Sequence, residues 1–125
     1  MTNPIQVHYY KCKVVRVIDG DTVDVDIDLG FSVDLKKKRL RLAGIDTPES
    51  RTRNKAEKVM GLAAKERVKE LCGDEVYIQS LDAGDKYGRI LAIPITKEGT
   101  NICATLINEG HAVEYWGGKK TKVWA

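Results

Sequence analysis

Three short segments hold the residues of this 125-residue chain that are able to do chemistry. The first is Asp19-Gly20-Asp21-Thr22, and the second runs Arg41-Leu42-Ala43-Gly44-Ile45-Asp46-Thr47-Pro48-Glu49. The third is Asp85-Lys86-Tyr87-Gly88-Arg89. Each alone has an ordinary explanation. Asp-Gly is a common turn. Asp-Thr-Pro-Glu can open a helix, with proline early and an acid near the positive end. Lys-Tyr-Gly-Arg can belong to a tight hairpin. Together they supply what phosphodiester hydrolysis requires. Asp21 and Asp46 offer two carboxylates from separate strand ends to a hard divalent cation, which prefers oxygen ligands. Such an ion can orient a water and neutralise charge on a phosphate oxygen. Glu49 is a further carboxylate, able to hold or deprotonate the attacking water. Arg41 and Arg89 are permanently charged planar forks, suited to pairs of phosphate oxygens in a transition state that carries extra negative charge.

The same inventory argues against other chemistries. His8 and His111 lie at opposite ends of the chain with no glutamate-helix motif between them, which disfavours a zinc hydrolase or a histidine base. No glycine-rich loop ends in Lys-Ser or Lys-Thr, so nucleoside triphosphate hydrolysis has no support. Cys12, Cys72 and Cys103 are odd in number, far apart and without a histidine partner motif. They read as reduced, mostly buried thiols rather than nucleophiles, and suit a cytoplasmic protein.

These side chains need elements to position them. Cys12 to Val17 is rich in β-branched residues, and Val23, Val25, Ile27 and Leu29 alternate with Asp24, Asp26 and Asp28. A period of two marks a half-buried strand with its acidic side in water. Gly30 sits at a bend, and Phe31, Val33 and Leu35 continue the alternation towards Arg39 to Ala43. There Leu40 and Leu42 should face the core while Arg39 and Arg41 share the other face. Asn54 to about Cys72 reads as a helix with an apolar stripe of Ala56, Val59, Met60, Ala63, Ala64, Val68 and Leu71, capped by Gly73. Glu75 to Leu81 and Arg89 to Thr96 are two further strands around a polar turn. Asn101 to Glu109 is a short helix stopped by Gly110. The order βββ-α-ββ-α implies an α+β fold, a five-stranded OB-fold barrel with a helix after strand three. Residues 1–125 are expected to form one domain.

Bulk properties are compatible with this. Hydrophobic residues make up 42% and charged residues 31%, ordinary for a globular protein. The balance of 21 Lys+Arg against 18 Asp+Glu gives +3, a weak preference for a polyanionic partner. The basic residues cluster at Lys36-Lys37-Lys38-Arg39, around Arg51 to Lys55 and in the tail from Lys119, and the first run is expected to extend a track for a phosphate backbone. Neither an apolar membrane span nor the apolar core of a secretory signal is apparent, so no membrane association is expected.

From about Lys13 to Tyr115 the chain resembles the staphylococcal nuclease (thermonuclease) family. The resemblance rests on Val17-Ile18-Asp19-Gly20-Asp21-Thr22-Val23, on Arg41 to Glu49, on Asp85 to Arg89, and more weakly on Leu106 to Ala112. It implies an OB barrel and metal-dependent endonuclease cleavage of DNA and RNA with little sequence preference, leaving 3′-phosphate ends. It further implies that Asp21, Asp46 and the backbone carbonyl of Thr47 bind the metal. The family ion is calcium, and magnesium or manganese would suit the same donors. By resemblance Glu49 positions or activates the water, Arg41 and Arg89 bind phosphate, and Lys86 and Tyr87 contact the terminal phosphate of a nucleotide. Tyr115 and Trp116 lie near the place of the base-stacking platform. DNA or RNA is then the partner, and no obligate protein partner is implied. The competing reading is a nucleic-acid-binding OB module that does not cut; it would leave Glu49, Arg41 and Arg89 without a purpose.

Overall fold

The computed structural model describes residues 8–82, 88–116 and 124. β1 (Tyr9–Asp19), β2 (Thr22–Asp28) and β3 (Asp34–Leu42) form an antiparallel meander. The short β4 (Ile45–Asp46) follows, then α1 (Lys55–Cys72), β5 (Glu75–Asp82) and β6 (Ile90–Ile95). α2 (Ile102–Asn108) and the short β7 (Val113–Glu114) complete the described elements. The barrel closes in the order β1-β2-β3-β6-β5, the five-stranded architecture expected from the sequence. β5 returns antiparallel to β1, and β6 runs parallel to β3 through Leu40↔Ile90, Arg41↔Leu91 and Leu42↔Ala92. A parallel pair needs a long crossover between its strands, and α1 lies within that connection. β1 pairs with both β2 and β5, and its register with β2 shifts between Val14 and Arg16 and again between Val17 and Asp19. Such bulges bend a strand and increase its twist, which lets five strands curl shut.

The alternation read in β2 and β3 holds where the barrel has an inside. Val23, Val25, Ile27, Leu40 and Leu42 are buried, and Asp24 and Asp26 lie on the other face. Beyond that the pattern misleads. Gly30 to Val33 is a turn closed by the Val33 N–H on the Gly30 carbonyl (2.9 Å). Phe31 at its tip is fully exposed, and Val33 and Leu35 are exposed as well. β6 flanks only Leu40 to Leu42 of β3, so the outer half of the hairpin has no strand beyond β2 to cover it.

The basic run on β3 answers the acids of β2. The Arg39 fork donates to both carboxylate oxygens of Asp24, at 2.8 and 3.1 Å. Lys36 lies 3.6 Å from Asp26 and 3.5 Å from Asp34. The Lys37 N–H donates to Asp26 (2.9 Å) where the β2–β3 register slips. That bond, assisted by the Lys36 charge against the opposing effect of desolvation, holds the Asp26 carboxyl below its usual value. Lys36 and Arg39 are therefore partners of the hairpin's own carboxylates on an exposed face.

α1 is capped by Asn54, whose side chain accepts the Glu57 N–H, and ends where the Gly73 N–H returns to the Lys69 carbonyl. Its buried face is Gly61, Ala64, Val68 and Cys72. Ala56, Val59 and Ala63 of the expected stripe are exposed, so the true face is rotated from that reading. Helical spacing of apolar residues suggested one face, while the close contact of Gly61 with Glu49 and Ser50 sets another. Arg67 joins the two helices by a paired contact to Glu109 at 2.6 and 2.8 Å, just past the end of α2. The pairing of β4 with β7, Ile45↔Glu114 and Asp46↔Val113, was not foreseen, since two-residue strands show no period. No helix among the described residues is long and apolar enough to cross a membrane.

The rotation can be checked by urea denaturation. Val68→Ala should cost about 1.5–3 kcal/mol, as for a buried valine. Val59→Ala, at 68% exposure, should stay within about 0.5 kcal/mol of the parent. Equal losses would restore the expected stripe.

Candidate active site

The site forms where the β1–β2 turn, the end of β3 and the segment through β4 meet. Arg41 lies on the outer face of β3, opposite Thr22 of β2 and Leu91 of β6. Its guanidinium is well covered and holds three groups together. One terminal nitrogen donates to the Leu42 carbonyl and the other to the Ile45 carbonyl, both at 2.7 Å. The second also lies 3.7 Å from an Asp21 carboxylate oxygen. Arg41 thus closes the turn from β3 into β4 and ties that turn to Asp21. A guanidinium has five N–H groups, so donors remain for an anion after the two carbonyl bonds.

Asp46 and Thr47 follow directly and are buried. A Cβ placed on Gly20 would sit 3.0 Å from the Thr47 side chain, so Thr47 packs directly on the turn that carries Asp21. Among the described residues, Thr47 Oγ1 is buried without a hydrogen-bond partner. Its neighbour Ser50 is anchored to the same turn: its N–H donates to Asp19 at 3.2 Å and its hydroxyl donates to the same oxygen. The motif gives Asp19 no role of its own, and Ser50 lies outside it. A serine one residue after Glu49 gives no recognisable signal until the fold brings it to Asp19.

Between these anchors Glu49 is exposed, and its carboxylate has no partner among the described residues. Arg89 immediately precedes β6. Strand alternation places it on the same side as Leu91, which opposes Arg41, so the two arginines are diagonal neighbours on the outer face. Lys86 and Tyr87 lie outside the described residues. The Tyr115 N–H donates to the Gly44 carbonyl (2.9 Å), seating the tail of β7 on the β3–β4 turn. The Trp116 ring covers Gly44 so closely that a Cβ there would fall 2.5 Å from it; Gly44 also has φ +76°, which favours glycine. Trp116 is still 66% exposed, with Nε1 donating to Glu114 (3.3 Å). The fold therefore brings Asp21, Arg41, Asp46 and Thr47 together, with Glu49 at the rim and the two rings at the β3–β4 turn.

Among the described residues no cluster of three His, Cys, Asp or Glu side chains is placed to hold a metal. The donor set available here is two carboxylates and backbone oxygen, suited to hard cations and not to zinc. The cysteines offer no alternative chemistry. All three are free and buried, and burial pushes each thiol up to about 12.

Fold and site together define a five-stranded OB barrel with acidic residues and Arg41 gathered where the β1–β2 turn meets the end of β3. The sequence matches the staphylococcal nuclease homologue family over residues 39–123, and the chain belongs to that family. It is similar to a micrococcal nuclease of Shigella flexneri, 35% identical over 90% of this chain and 63% of that protein. It is also similar to endonuclease YncB of Bacillus subtilis (strain 168), 38% identical over 78% of this chain and 44% of that one. A thermonuclease of Staphylococcus hyicus is 39% identical over 64% of this chain and 45% of that protein. The chain thus spans between about half and two thirds of the length of these relatives.

The thiols give a direct check on the core. At pH 8 a disulfide reagent such as Ellman's should leave the native protein unlabelled over minutes, then titrate 3 thiols in guanidinium. Rapid labelling of the native state would contradict the burial.

Proposed function

We propose that this chain is a metal-dependent nuclease that hydrolyses phosphodiester bonds of DNA and RNA, with calcium as its ion. The observation that carries the proposal is the Arg41 fork, which ties Asp21 to the turn leading into Asp46 and Thr47. The names of the relatives, all nucleases, point the same way. Asp21, Asp46 and the Thr47 carbonyl would hold the cation. The fit is supported by an oxygen-rich corner in which, among the described residues, buried Thr47 Oγ1 has no hydrogen-bond partner. When bound, the ion supplies positive charge to a phosphate oxygen and orients water.

The chain's own residues do the remaining work. Glu49, exposed at the rim, takes a proton from the water as its oxygen attacks phosphorus in line. The bond from phosphorus to the 5′ oxygen breaks and that oxygen takes a proton from solvent, giving a 5′-hydroxyl and a 3′-phosphate. Arg41 and Arg89 supply fixed donors to the phosphate oxygens as charge accumulates. Trp116 presents an open ring face on which a base can stack, with Tyr115 beside it. Lys86 and Tyr87 complete the proposal as contacts to a terminal phosphate.

The test is cleavage of a fluorogenic single-stranded DNA with calcium, magnesium, manganese or EDTA. Cutting should require metal and be greatest with calcium, and an RNA substrate should be cut too. Glu49→Gln should retain metal and DNA binding yet lose at least about two orders of magnitude in kcat. Near-parental turnover in that variant would remove Glu49 from the mechanism. Arg89→Lys should also be severe, by about 10²-fold, because charge is kept while the fork is lost. Asp21→Asn should weaken calcium binding in a titration, and an unchanged titration would remove Asp21 from the ligand set. DNA binding without cutting under any metal would favour the silent OB module.

A further inference from the structure

Among the described residues Glu49 is an acid of the site whose carboxylate has no partner, so its aim depends on its backbone. That backbone is gripped by α1. The sequence Asn54-Lys55-Ala56-Glu57 has the form of a capping box, in which the N3 glutamate returns to the N–H of the cap residue. Here the Asn54 half is made: its side chain accepts the Glu57 N–H at 3.1 Å. The reciprocal half is diverted. The Asn54 N–H donates instead to Thr52 Oγ1 (3.2 Å), and the Glu57 carboxylate accepts the N–H of Glu49 at 3.0 Å. One turn further along α1, Gly61 is buried against the next peptide, between Glu49 and Ser50. A Cβ on Gly61 would fall 2.4 Å from both the carbonyl carbon and oxygen of Glu49, and 2.6 Å from the Ser50 nitrogen. No side chain fits there.

We propose that Glu57 and Gly61 are positioning residues for Glu49: the helix presents a carboxylate to the peptide before it and a bare backbone to the peptide after it. This rests on the role given to Glu49 above. On the far side Ser50 is bound to Asp19 of the β1–β2 turn. The Glu49 peptide is therefore held between α1 and the turn that carries Asp21. The water-activating group and a metal ligand share one frame. Thr52 makes this arrangement affordable for the helix, because it satisfies the cap N–H that Glu57 has left.

Steady-state kinetics on the full chain with calcium separate this role from simple stabilisation. Glu57→Ala should lower kcat about tenfold with KM within twofold, since the substrate contacts lie elsewhere. Glu57→Gln should recover most of that loss, because an amide oxygen still accepts the Glu49 N–H. In a Glu49→Gln background, Glu57→Ala should lower the residual rate no further. Gly61→Ala should cost about 10²-fold in kcat by displacing the peptide; if it fails to fold, the Glu57 variants decide alone. The proposal is overturned if Glu57→Ala keeps kcat within twofold, if Glu57→Gln is as slow as Glu57→Ala, or if the effects of Glu49→Gln and Glu57→Ala multiply. Failure of the underlying reading is a different result: Glu49→Gln itself would remain active.

Discussion

The parallel pairing of β3 with β6 is the constraint on which the rest of the structure depends. It comprises three rungs, yet it closes the barrel and joins residues some fifty positions apart in sequence. Because the strands are parallel, the intervening chain must cross from one end of the barrel to the other, and it does so through α1. That crossing sets α1 against the segment from Asp46 to Ser50. The same rungs fix the outer faces of the two strands, so Arg41 on β3 and Arg89 at the start of β6 become neighbours. Slipping the register by one residue would move both arginines to the barrel interior and Leu40 and Leu42 to solvent. Core burial and arginine placement are thus one choice.

Arg41 shows how a single cation can serve structure and chemistry at once. The carbonyls of Leu42 and Ile45 lie on either side of the Ala43–Gly44 turn, where strand pairing cannot satisfy every polar group. The guanidinium supplies the missing donors and, in doing so, is held rigidly beside Asp21. A lysine would bring charge but could not bridge two carbonyls with a planar fork. Fixed orientation matters at such a site, since donors already aimed at developing charge need no rearrangement during reaction.

Much of this was legible in the sequence, for identifiable reasons. The β2 and β3 alternation, the Asn54 and Asn101 starts and the glycine stops are local signals, and the structure follows them. The outer part of the β2–β3 hairpin was misjudged because alternation reports a half-apolar strand and not whether a second layer covers it. Phe31 has the right residue type and no barrel above it. The helix stripe was misjudged for the opposite reason. Val59 outweighs Gly61 in any hydrophobic pattern, but close approach to the peptide between Glu49 and Ser50 selects the residue without a side chain. The partners of Lys36 and Arg39 within the basic run, Asp24 and Asp26, were not legible because they lie on a different strand and meet the run only in register. Within the candidate site, residue types were legible and the supports were not: Ser50, Glu57 and Gly61 act through the backbone, for which composition leaves no trace.

The burial of the site follows the division of labour proposed for it. Asp46 and Thr47 are buried, and Asp21 and Arg41 are mostly covered, where a low dielectric strengthens charge interactions. Glu49 is exposed, as a group must be if it exchanges a proton with water and returns it to solvent after each turnover. Exposure removes the packing that would otherwise fix a side chain, so precision must come from what lies beneath. The peptide before Glu49 has a carboxylate on its N–H, and the peptide after it has a bare glycine against its carbonyl. The next residue is bound to the turn bearing Asp21. A solvent-facing acid can therefore be accurately placed when its backbone, and not its side chain, belongs to the core.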